Sequence, residues 1–247
     1  MNYNLQNKDC LEFLKEIPDN SIDLVNVDPP YFEIVKNDWD NQWKSEQEYL
    51  DWCKEWTEEC FRVLKPNRCF YVWGTTKTDT FLRYKLNVLN NIKDAHYQNW
   101  IIWHYDWGGR TKKTFARKHE DCLMYSKGKE FLFNGDSVRI PYKTKKNVRE
   151  TATNNPLGKI PTDVWMKNNH TTSKEYAGWH PTQKPISILQ RTILANTNPG
   201  DTVLDIFSGS GSTMIASVLC GRNFAGCEMS EEYYTKSLER LEELTKE

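Results

Sequence analysis

Short apolar runs alternate with amphipathic stretches along most of the chain. The runs are too short for helices and are bounded by turn residues, and they predict buried strands at 22–27, 69–73, 99–105, 121–126, 202–207 and 223–228. Helix starts are predicted at Asp9, Ser45, Pro185 and Ser230, and a further helix over 213–220. Strands that alternate with helices in this way indicate an α/β fold with a mostly parallel sheet.

The middle of the chain breaks this alternation. Residues 107–119 and 134–180 are polar and basic with little apolar periodicity, and they predict long loops, which in a compact domain are usually functional. Twelve basic and five acidic residues give the stretch 107–150 a charge of +7, whereas the whole chain carries −1. A basic region on an otherwise acidic protein favours contact with nucleic acid, because phosphate contacts supply most non-specific affinity for DNA.

Composition narrows the class of protein. With 247 residues, 38% of them hydrophobic and 27% charged, the chain has room for one large domain with a sizeable core. It contains no apolar stretch of membrane-spanning length and no signal-peptide pattern at its start, so we expect no membrane partner. The seven cysteines are scattered without a C-x-x-C pair, which predicts reduced, buried thiols in a cytoplasm and no metal site.

A glycine-rich turn lies in "VLDIFSGSGSTMIA", residues 203–216, between a predicted strand and a predicted helix. Such a turn lets a ligand approach the backbone closely and points amide N–H groups at it. Ser212 follows Gly211 where a phosphate-binding loop needs a lysine. The next strand ends at Glu228, 17 residues after Gly211, where an acid suits a ribose diol. These features predict a nucleoside-bearing cofactor that need not carry phosphate.

The buried run "IDLVNV" ends in Asp28, Pro29, Pro30 and Tyr31. The two prolines stop the sheet ladder because neither can donate a backbone hydrogen bond. If this strand neighbours the strand at 202–207, their carboxyl ends lie together and Asp28 faces the glycine turn. Asp28 and the Pro29 carbonyl would then offer acceptors to an amino group, and Tyr31 would offer a stacking face.

Three motifs in a fixed order resemble one enzyme family. "DPPYF" at 28–32, "HPTQKP" at 180–185 and "DIFSGSGST" at 205–213 resemble the amino-methylating DNA methyltransferases that use S-adenosylmethionine, and the motif order is similar to their beta class. The resemblance covers nearly the whole chain. It departs at Ile206, where the family often has proline, and at Arg68, where it often has glycine; neither change removes a group that the chemistry needs.

The resemblance implies a doubly wound, mostly parallel, Rossmann-like methyltransferase sheet with an inserted loop-rich target-recognition region. The expected segments are a catalytic half at 1–106, DNA-contacting loops and the target-recognition region at 107–179, and the cofactor-binding half of the same domain at 180–247. Residues that read the bases are expected within 134–179.

The resemblance also assigns roles to single residues. The catalytic set is Asp28, Pro29, Pro30 and Tyr31: Asp28 and the Pro29 carbonyl accept from the target amino group, and Tyr31 stacks on a base that has left the duplex. The set implied for S-adenosylmethionine is Asp9, Cys10, Thr182, Gln183, Lys184, Asp205, Phe207, Gly209, Gly211, Ser212 and Glu228. Within it, Asp9 and Cys10 match the segment that contacts adenine, Glu228 the ribose ligand, and residues 182–184 the holder of the methionine end.

The expected macromolecular partner is double-stranded DNA in a bacterial or phage cytoplasm. The best phosphate-contact candidates are Arg110, Lys112, Lys113, Arg117 and Lys118. The resemblance leaves open whether the chain forms a homodimer and whether a cognate restriction endonuclease accompanies it. The activity implied is methylation of adenine N6, within a restriction–modification system or as an orphan enzyme.

Several alternatives stay open. Asp28 favours adenine because the cytosine N4 enzymes of the class more often have serine there, yet cytosine N4 is the nearest rival. Methylation of RNA or protein by the same fold and an inactive DNA-binding subunit are further readings. Asp9 could be only a helix N-cap, Glu228 a surface acid, and "HPTQKP" a mere helix entry.

Overall fold

A computed structural model describes residues 2–34, 40–142, 155–167 and 173–245. The strands are β1 (Tyr3–Asn7), β2 (Ile22–Val27), β3 (Leu64–Gly74), β4 (Ala95–His104), β5 (His119–Lys127), β6 (Val164–Met166), β7 (Thr202–Asp205) and β8 (Asn223–Glu228). The helices are α1 (Cys10–Lys15), α2 (Glu46–Val63), α3 (Thr80–Asn87), α4 (Ile186–Asn196), α5 (Ser212–Leu219) and α6 (Glu231–Thr245), with short 3₁₀ turns at Leu89–Asn91 and Gly135–Val138.

The described strands form one eight-stranded sheet in the order β1-β8-β7-β2-β3-β5-β4-β6. Neighbouring strands run parallel except at β5, which is antiparallel to both β3 and β4. The expected neighbour relation of the two motif-bearing strands is confirmed, because Leu24 of β2 pairs with Val203 of β7. All three expected segments contribute strands to this sheet, and β5 and β6 come from 107–179.

Helices cover both faces of the sheet. Phe13 of α1, Trp56 of α2 and Tyr84 of α3 belong to the apolar core on one face, whereas Ile188 of α4 and Ile215 of α5 belong to the core on the other. Both faces of β2 are therefore covered, and all six of its residues are buried, which is why its sequence is a continuous apolar run rather than an alternating one. The α/β, doubly wound fold expected from the sequence is confirmed.

The helix starts follow their sequence signals. Ser45 Oγ accepts from the Glu48 amide at 3.2 Å, and the Glu48 carboxylate accepts from the Lys44 amide at 2.9 Å, so the predicted cap of α2 is present. Residues that satisfy the backbone in this way set the length of α2, which packs across the sheet.

Three described elements were not predicted: β1, α3 and β6. The edge strands β1 and β6 each bury a single side chain, Leu5 and Trp165, so neither shows an apolar run in the sequence. The prediction of an unbroken loop over 134–180 is wrong at β6, whose backbone pairs with β4. Much of the expected base-reading region, at 143–154 and 168–172, lies outside the described residues.

All seven cysteines are free thiols, six of them buried and Cys220 partly exposed. Among the described residues, no helix has both the length and the apolar character that crossing a bilayer requires.

Candidate active site

The site lies where the strand order reverses. From β2 the chain continues to β3 on one side, and β7 adjoins β2 on the other, so a crevice opens beyond the carboxyl ends of β2 and β7. A cavity of about 260 Å³ occupies this crevice. Its wall contains Asp9, Cys10, Asp28, Pro29, Pro30, Tyr31, Thr182, Lys184, Asp205, Phe207, Gly209, Ser212 and Glu228.

Asp28 is held on both carboxylate oxygens. Tyr31 Oη donates to Oδ1 at 2.7 Å, and Lys184 Nζ donates to Oδ2 at 2.5 Å. The Lys184 ammonium also pairs with Glu120 at 2.9 Å, and its side chain is only 4% exposed. One buried cation thus joins two carboxylates that come from different strands.

The charges in this cluster are coupled. Burial alone would lower the pKa of Lys184, but the neighbouring Asp28 and Glu120 carboxylates outweigh it and raise the pKa above its ordinary value. Burial raises the pKa of Glu120, and Lys184 opposes that rise. The lysine is therefore cationic at neutral pH, and the cluster of two acids and one cation has one negative charge when both acids are ionised.

The two prolines form a stiff rim beside Asp28. Tyr49 Oη donates to the Pro30 carbonyl at 3.0 Å and fixes this rim to α2. Over the described ranges, no hydrogen bond ends on the Pro29 carbonyl, which lies in the cavity wall. The Pro29 carbonyl and the Asp28 carboxylate are acceptors for an amino group that enters the cavity.

The glycine turn closes the opposite wall. Gly209 has φ +49°, and its amide donates to Glu228 Oε2 at 2.7 Å, while Ser230 donates to Oε1 at 2.9 Å. Burial raises the pKa of Glu228. Asp205, one strand away, accepts from the Phe207 amide at 3.0 Å, and burial raises its pKa to about 7.

The "HPTQKP" segment packs against this turn. The buried His180 ring faces Gly209 so closely that a Cβ at residue 209 would lie 2.8 Å from Nε2. Burial lowers the pKa of His180 to about 4, so its ring is neutral at pH 7. Gln183 turns away from the cavity: it accepts from the Ala177 amide at 2.8 Å and donates to the Glu175 carbonyl at 2.7 Å.

The cavity fits a nucleoside-bearing, cationic ligand such as S-adenosylmethionine. Ser208 Oγ is buried in its wall without a hydrogen-bond partner in the described part of the chain, so a polar group is left for a ligand. Trp52 and Phe207 supply apolar surface, and their ring centroids are 5.5 Å apart. The acids Asp28, Asp205 and Glu228 supply negative potential for a positive centre.

Two residues of the expected cofactor set lie outside the cavity wall. Gln183 fixes the backbone of its own segment, and Gly211 faces α6, where a Cβ would lie 2.8 Å from Ser237 Cβ. Gly211 also has φ +74° at the start of α5, so its role in this structure is conformational. Asp9 does both things that the sequence left open, because it caps α1 and also lines the cavity.

The five candidate phosphate contacts lie between β4 and β5. Arg110, Lys112 and Lys113 are exposed, whereas Lys118 Nζ donates to the Trp107 and Gly108 carbonyls at 2.8 and 2.9 Å. Arg117 approaches the hydroxyls of Thr75 and Thr76 at 3.3 and 3.4 Å. Their contact with DNA stays a prediction.

Sequence reasoning missed several residues of the site. Glu120, Trp73, His180, Ser208 and Tyr233 were assigned no role, although all but Glu120 line the cavity and Glu120 contacts Lys184. The signal for Glu120 was an acid just before a buried strand. It could be interpreted only if β5 were known to be antiparallel, because this direction brings its amino end to the edge of the sheet that holds the site.

The fold and the site together define a Rossmann-like enzyme domain with an acidic cofactor cavity and hydrogen-bond acceptors at its rim. A family model described as DNA methylase (N6_N4_Mtase) matches residues 22–239. The chain therefore belongs to this family of DNA methylases, and the resemblance seen in the sequence is confirmed.

Individual relatives agree with this assignment. The DNA adenine methyltransferase YhdJ of Escherichia coli K12 is 38% identical over 246 residues, covering 95% of this chain and 81% of the relative. The type II methyltransferase M.HpaI of Haemophilus parainfluenzae is 34% identical, covering 94% and 72%.

Solved structures share the fold. The cytosine-N4-specific PvuII DNA methyltransferase superposes with a TM-score of 0.78 at 20% identity, covering all of this chain and 91% of its own. The M1.HpyAVI–SAM complex superposes with a TM-score of 0.66 at 23% identity, covering 97% and 98%.

Proposed function

We propose that the protein transfers a methyl group from S-adenosylmethionine to the exocyclic N6 of an adenine that has been flipped out of DNA. The observation that carries this proposal is the position of Asp28. Its carboxylate lies in the wall of the same cavity as the glycine turn and Glu228, beside the Tyr31 ring. S-adenosylmethionine is the ligand named in the M1.HpyAVI complex, which has the same fold.

The residues of the chain divide the work between substrate and cofactor. Asp28 and the Pro29 carbonyl accept hydrogen bonds from the amino group, which orients a poor nucleophile for attack. Glu228 and the backbone of the turn hold the nucleoside part of the cofactor, which supplies an electrophilic methyl group on a cationic sulfur. Lys184 is placed against Asp28 and Glu120, so we assign it to holding the catalytic carboxylate rather than the methionine end of the cofactor.

Adenine is favoured over cytosine by two features. Asp28 occupies the position that more often holds serine in the cytosine N4 enzymes, and YhdJ, the relative described as an adenine methyltransferase, is 38% identical over most of both chains. The cytosine N4 alternative is supported by the PvuII enzyme, whose fold is similar. An inactive DNA-binding role is disfavoured because the acid, the rim and the glycine turn converge on one cavity.

The test is direct. The purified protein is incubated with DNA and S-adenosylmethionine, and the DNA is digested and its nucleosides identified by mass spectrometry. N6-methyladenine is expected; N4-methylcytosine would replace the proposal by its rival, and unmodified DNA of every sequence tried would refute both. Modification-sensitive sequencing of the product then gives the recognition sequence.

The role of Asp28 has its own test. Asp28→Ala should abolish methyl transfer and leave cofactor binding, measured by calorimetry, largely intact, since Lys184 keeps Glu120 as a partner. Asp51→Ala on the exposed side of α2 serves as the matched control and should keep full activity. An active Asp28→Ala variant would show that this carboxylate is not the acceptor.

A further inference from the structure

The loop between β4 and β5, residues 105–118, carries an aromatic side chain with no contact to bury it. Phe115 is fully exposed, at 103% of the reference area. A single exposed apolar side chain is common on protein surfaces and by itself indicates nothing. Its surroundings in the chain and its distance from the site give it meaning.

The loop is fixed to the active site at its base. His104 pairs with His119 as β4 ends and β5 begins, and the next residue is Glu120, which contacts Lys184 at 2.9 Å. On the other side, Arg117 approaches the Thr75 and Thr76 hydroxyls just after β3. The loop therefore projects from the edge of the sheet at which the target base must enter.

The lower part of the loop is braced, whereas Phe115 stands clear. The rings of Tyr105 and Trp107 stack with centroids 4.6 Å apart. Lys118 spans the loop by donating to the Trp107 and Gly108 carbonyls, and its own carbonyl accepts from the Tyr105 amide at 3.0 Å. These contacts hold a frame from which the Phe115 ring is presented to solvent.

The charge around Phe115 identifies the partner. Between Trp107 and His119 the sequence has five cations, at 110, 112, 113, 117 and 118, and no acid. A polyanion is the complementary surface, and an exposed ring among cations suits duplex DNA, where the cations contact phosphates and the ring enters the base stack.

We propose that Phe115 is a wedge that inserts into the duplex beside the target nucleotide and replaces the stacking lost when the target base moves into the cavity. This inference rests on the proposed function, because it needs a base that is flipped. Unstacking and unpairing a base is costly, and less so for a base that is already mismatched. A side chain that fills the vacated space therefore assists transfer to a paired base much more than transfer to an unpaired one.

The test compares two DNA substrates that contain the recognition sequence, one fully paired and one with a mismatch opposite the target base. Phe115→Ala should lower kcat/KM on the paired duplex by about ten-fold or more, the scale of one lost aromatic–base stack. On the mismatched duplex the loss should shrink to about two-fold or less, because the unpairing has been made easier in advance. Phe115→Trp should retain activity on both duplexes.

Two controls separate the wedge from a loss of folding or of charge. Tyr3→Ala removes an aromatic ring that is 49% exposed on β1 at the opposite edge of the sheet, and it should leave both rates unchanged. Since Phe115 is fully exposed, the thermal unfolding of Phe115→Ala should match that of the unmodified protein. Fluorescence of 2-aminopurine at the target position should report less base extrusion in Phe115→Ala.

The outcomes are distinct. An active unmodified protein whose Phe115→Ala variant is equally active, or is impaired alike on paired and mismatched DNA, overturns the wedge and leaves the proposed function standing. Absence of methylation by the unmodified protein on any DNA refutes the proposed function and the wedge with it.

Discussion

Removing the buried cation at the site is the most informative perturbation. Lys184→Met deletes the ammonium and keeps a side chain of similar length. It leaves Asp28 and Glu120 in the folded protein without the group that pairs with both, at 2.5 and 2.9 Å. Tyr31 still donates to Asp28, but a hydroxyl replaces neither the charge nor the contact to Glu120.

The cost can be worked from these contacts. Breaking a buried ion pair by removing one partner typically destabilises a protein by about 3–5 kcal/mol. The variant can limit this cost by protonating Glu120, whose ordinary pKa is 4.5. Since one pH unit corresponds to about 1.4 kcal/mol, protonating such a group costs about 4 kcal/mol at pH 7.5 and about 1.4 kcal/mol at pH 5.5. We therefore expect a loss of about 3–4 kcal/mol at pH 7.5 and clearly less at pH 5.5.

The sign of the pH dependence follows from proton binding. Burial already raises the pKa of Glu120, and removing Lys184 raises it further because the opposing charge is lost. Between its unfolded and folded pKa values, the folded variant then binds more protons than the unfolded chain, so its stability falls as pH rises through this window. The deficit against the unmodified protein is full only above the folded pKa.

Urea denaturation followed by tryptophan fluorescence at pH 7.5 and pH 5.5 measures both quantities. Lys65→Met is the matched control: Lys65 pairs with Asp23 at 2.8 Å, but it is 40% exposed, and Asp23 keeps Arg68 at 3.0 Å. This control should lose about 1 kcal/mol or less at either pH. If Lys184→Met unfolds within about 1 kcal/mol of the unmodified protein at both pH values and mainly loses cofactor affinity, the lysine holds the cofactor and our assignment is wrong.

Three further predictions concern the cofactor turn and the basic loop. Because burial raises the pKa of Asp205 to about 7, cofactor affinity should fall as pH drops from 8 to 6 and this carboxylate becomes protonated beside a cationic ligand; calorimetric titrations should show that Asp205→Asn abolishes the trend, and a persisting trend would assign it to another group. Gly209→Ala should weaken cofactor binding about ten-fold or more, since the new Cβ would lie 2.8 Å from the facing histidine ring, whereas Gly221→Ala, also at positive φ but with no neighbour within 4 Å, should keep the affinity. Replacing Lys112 and Lys113 together with Gln should weaken binding alike across DNA sequences and reduce the slope of log K against log salt by about two; an unchanged slope would remove both from the DNA contacts.

Local signals were sufficient for the framework of the site. The continuous apolar run of β2, the cap at Ser45 and the glycine turn each follow from short-range physics, and they are where the sequence predicts them. The rule that ligands bind beyond the carboxyl ends of strands then brought Asp28 toward Glu228, although 200 residues separate them in the chain.

The partners within the site could not be predicted in this way. Lys184 contacts Asp28 across 156 positions, and its second partner, Glu120, reaches it only because β5 runs antiparallel. A sequence pattern reports the burial of a strand but not its direction, so an acid at the start of β5 has no predictable neighbour. The same limit explains Gln183, which belongs to a motif of the site but uses its amide to fix the backbone.

The net charge of −1 is an average over two surfaces of opposite sign, and this separation follows from what each surface must bind. The cavity has Asp28, Asp205 and Glu228 in its wall, where burial limits screening by salt, and this suits a small cationic ligand. The β4–β5 loop is cationic and exposed, which suits a polyanion that must be attracted from a distance and released. Glu120 lies where the two surfaces meet, one strand position past the loop and 2.9 Å from the buried lysine. Its pairing keeps the positive charge of Lys184 inside the cluster, so the cation holds the catalytic carboxylate without cancelling the negative potential of the cavity.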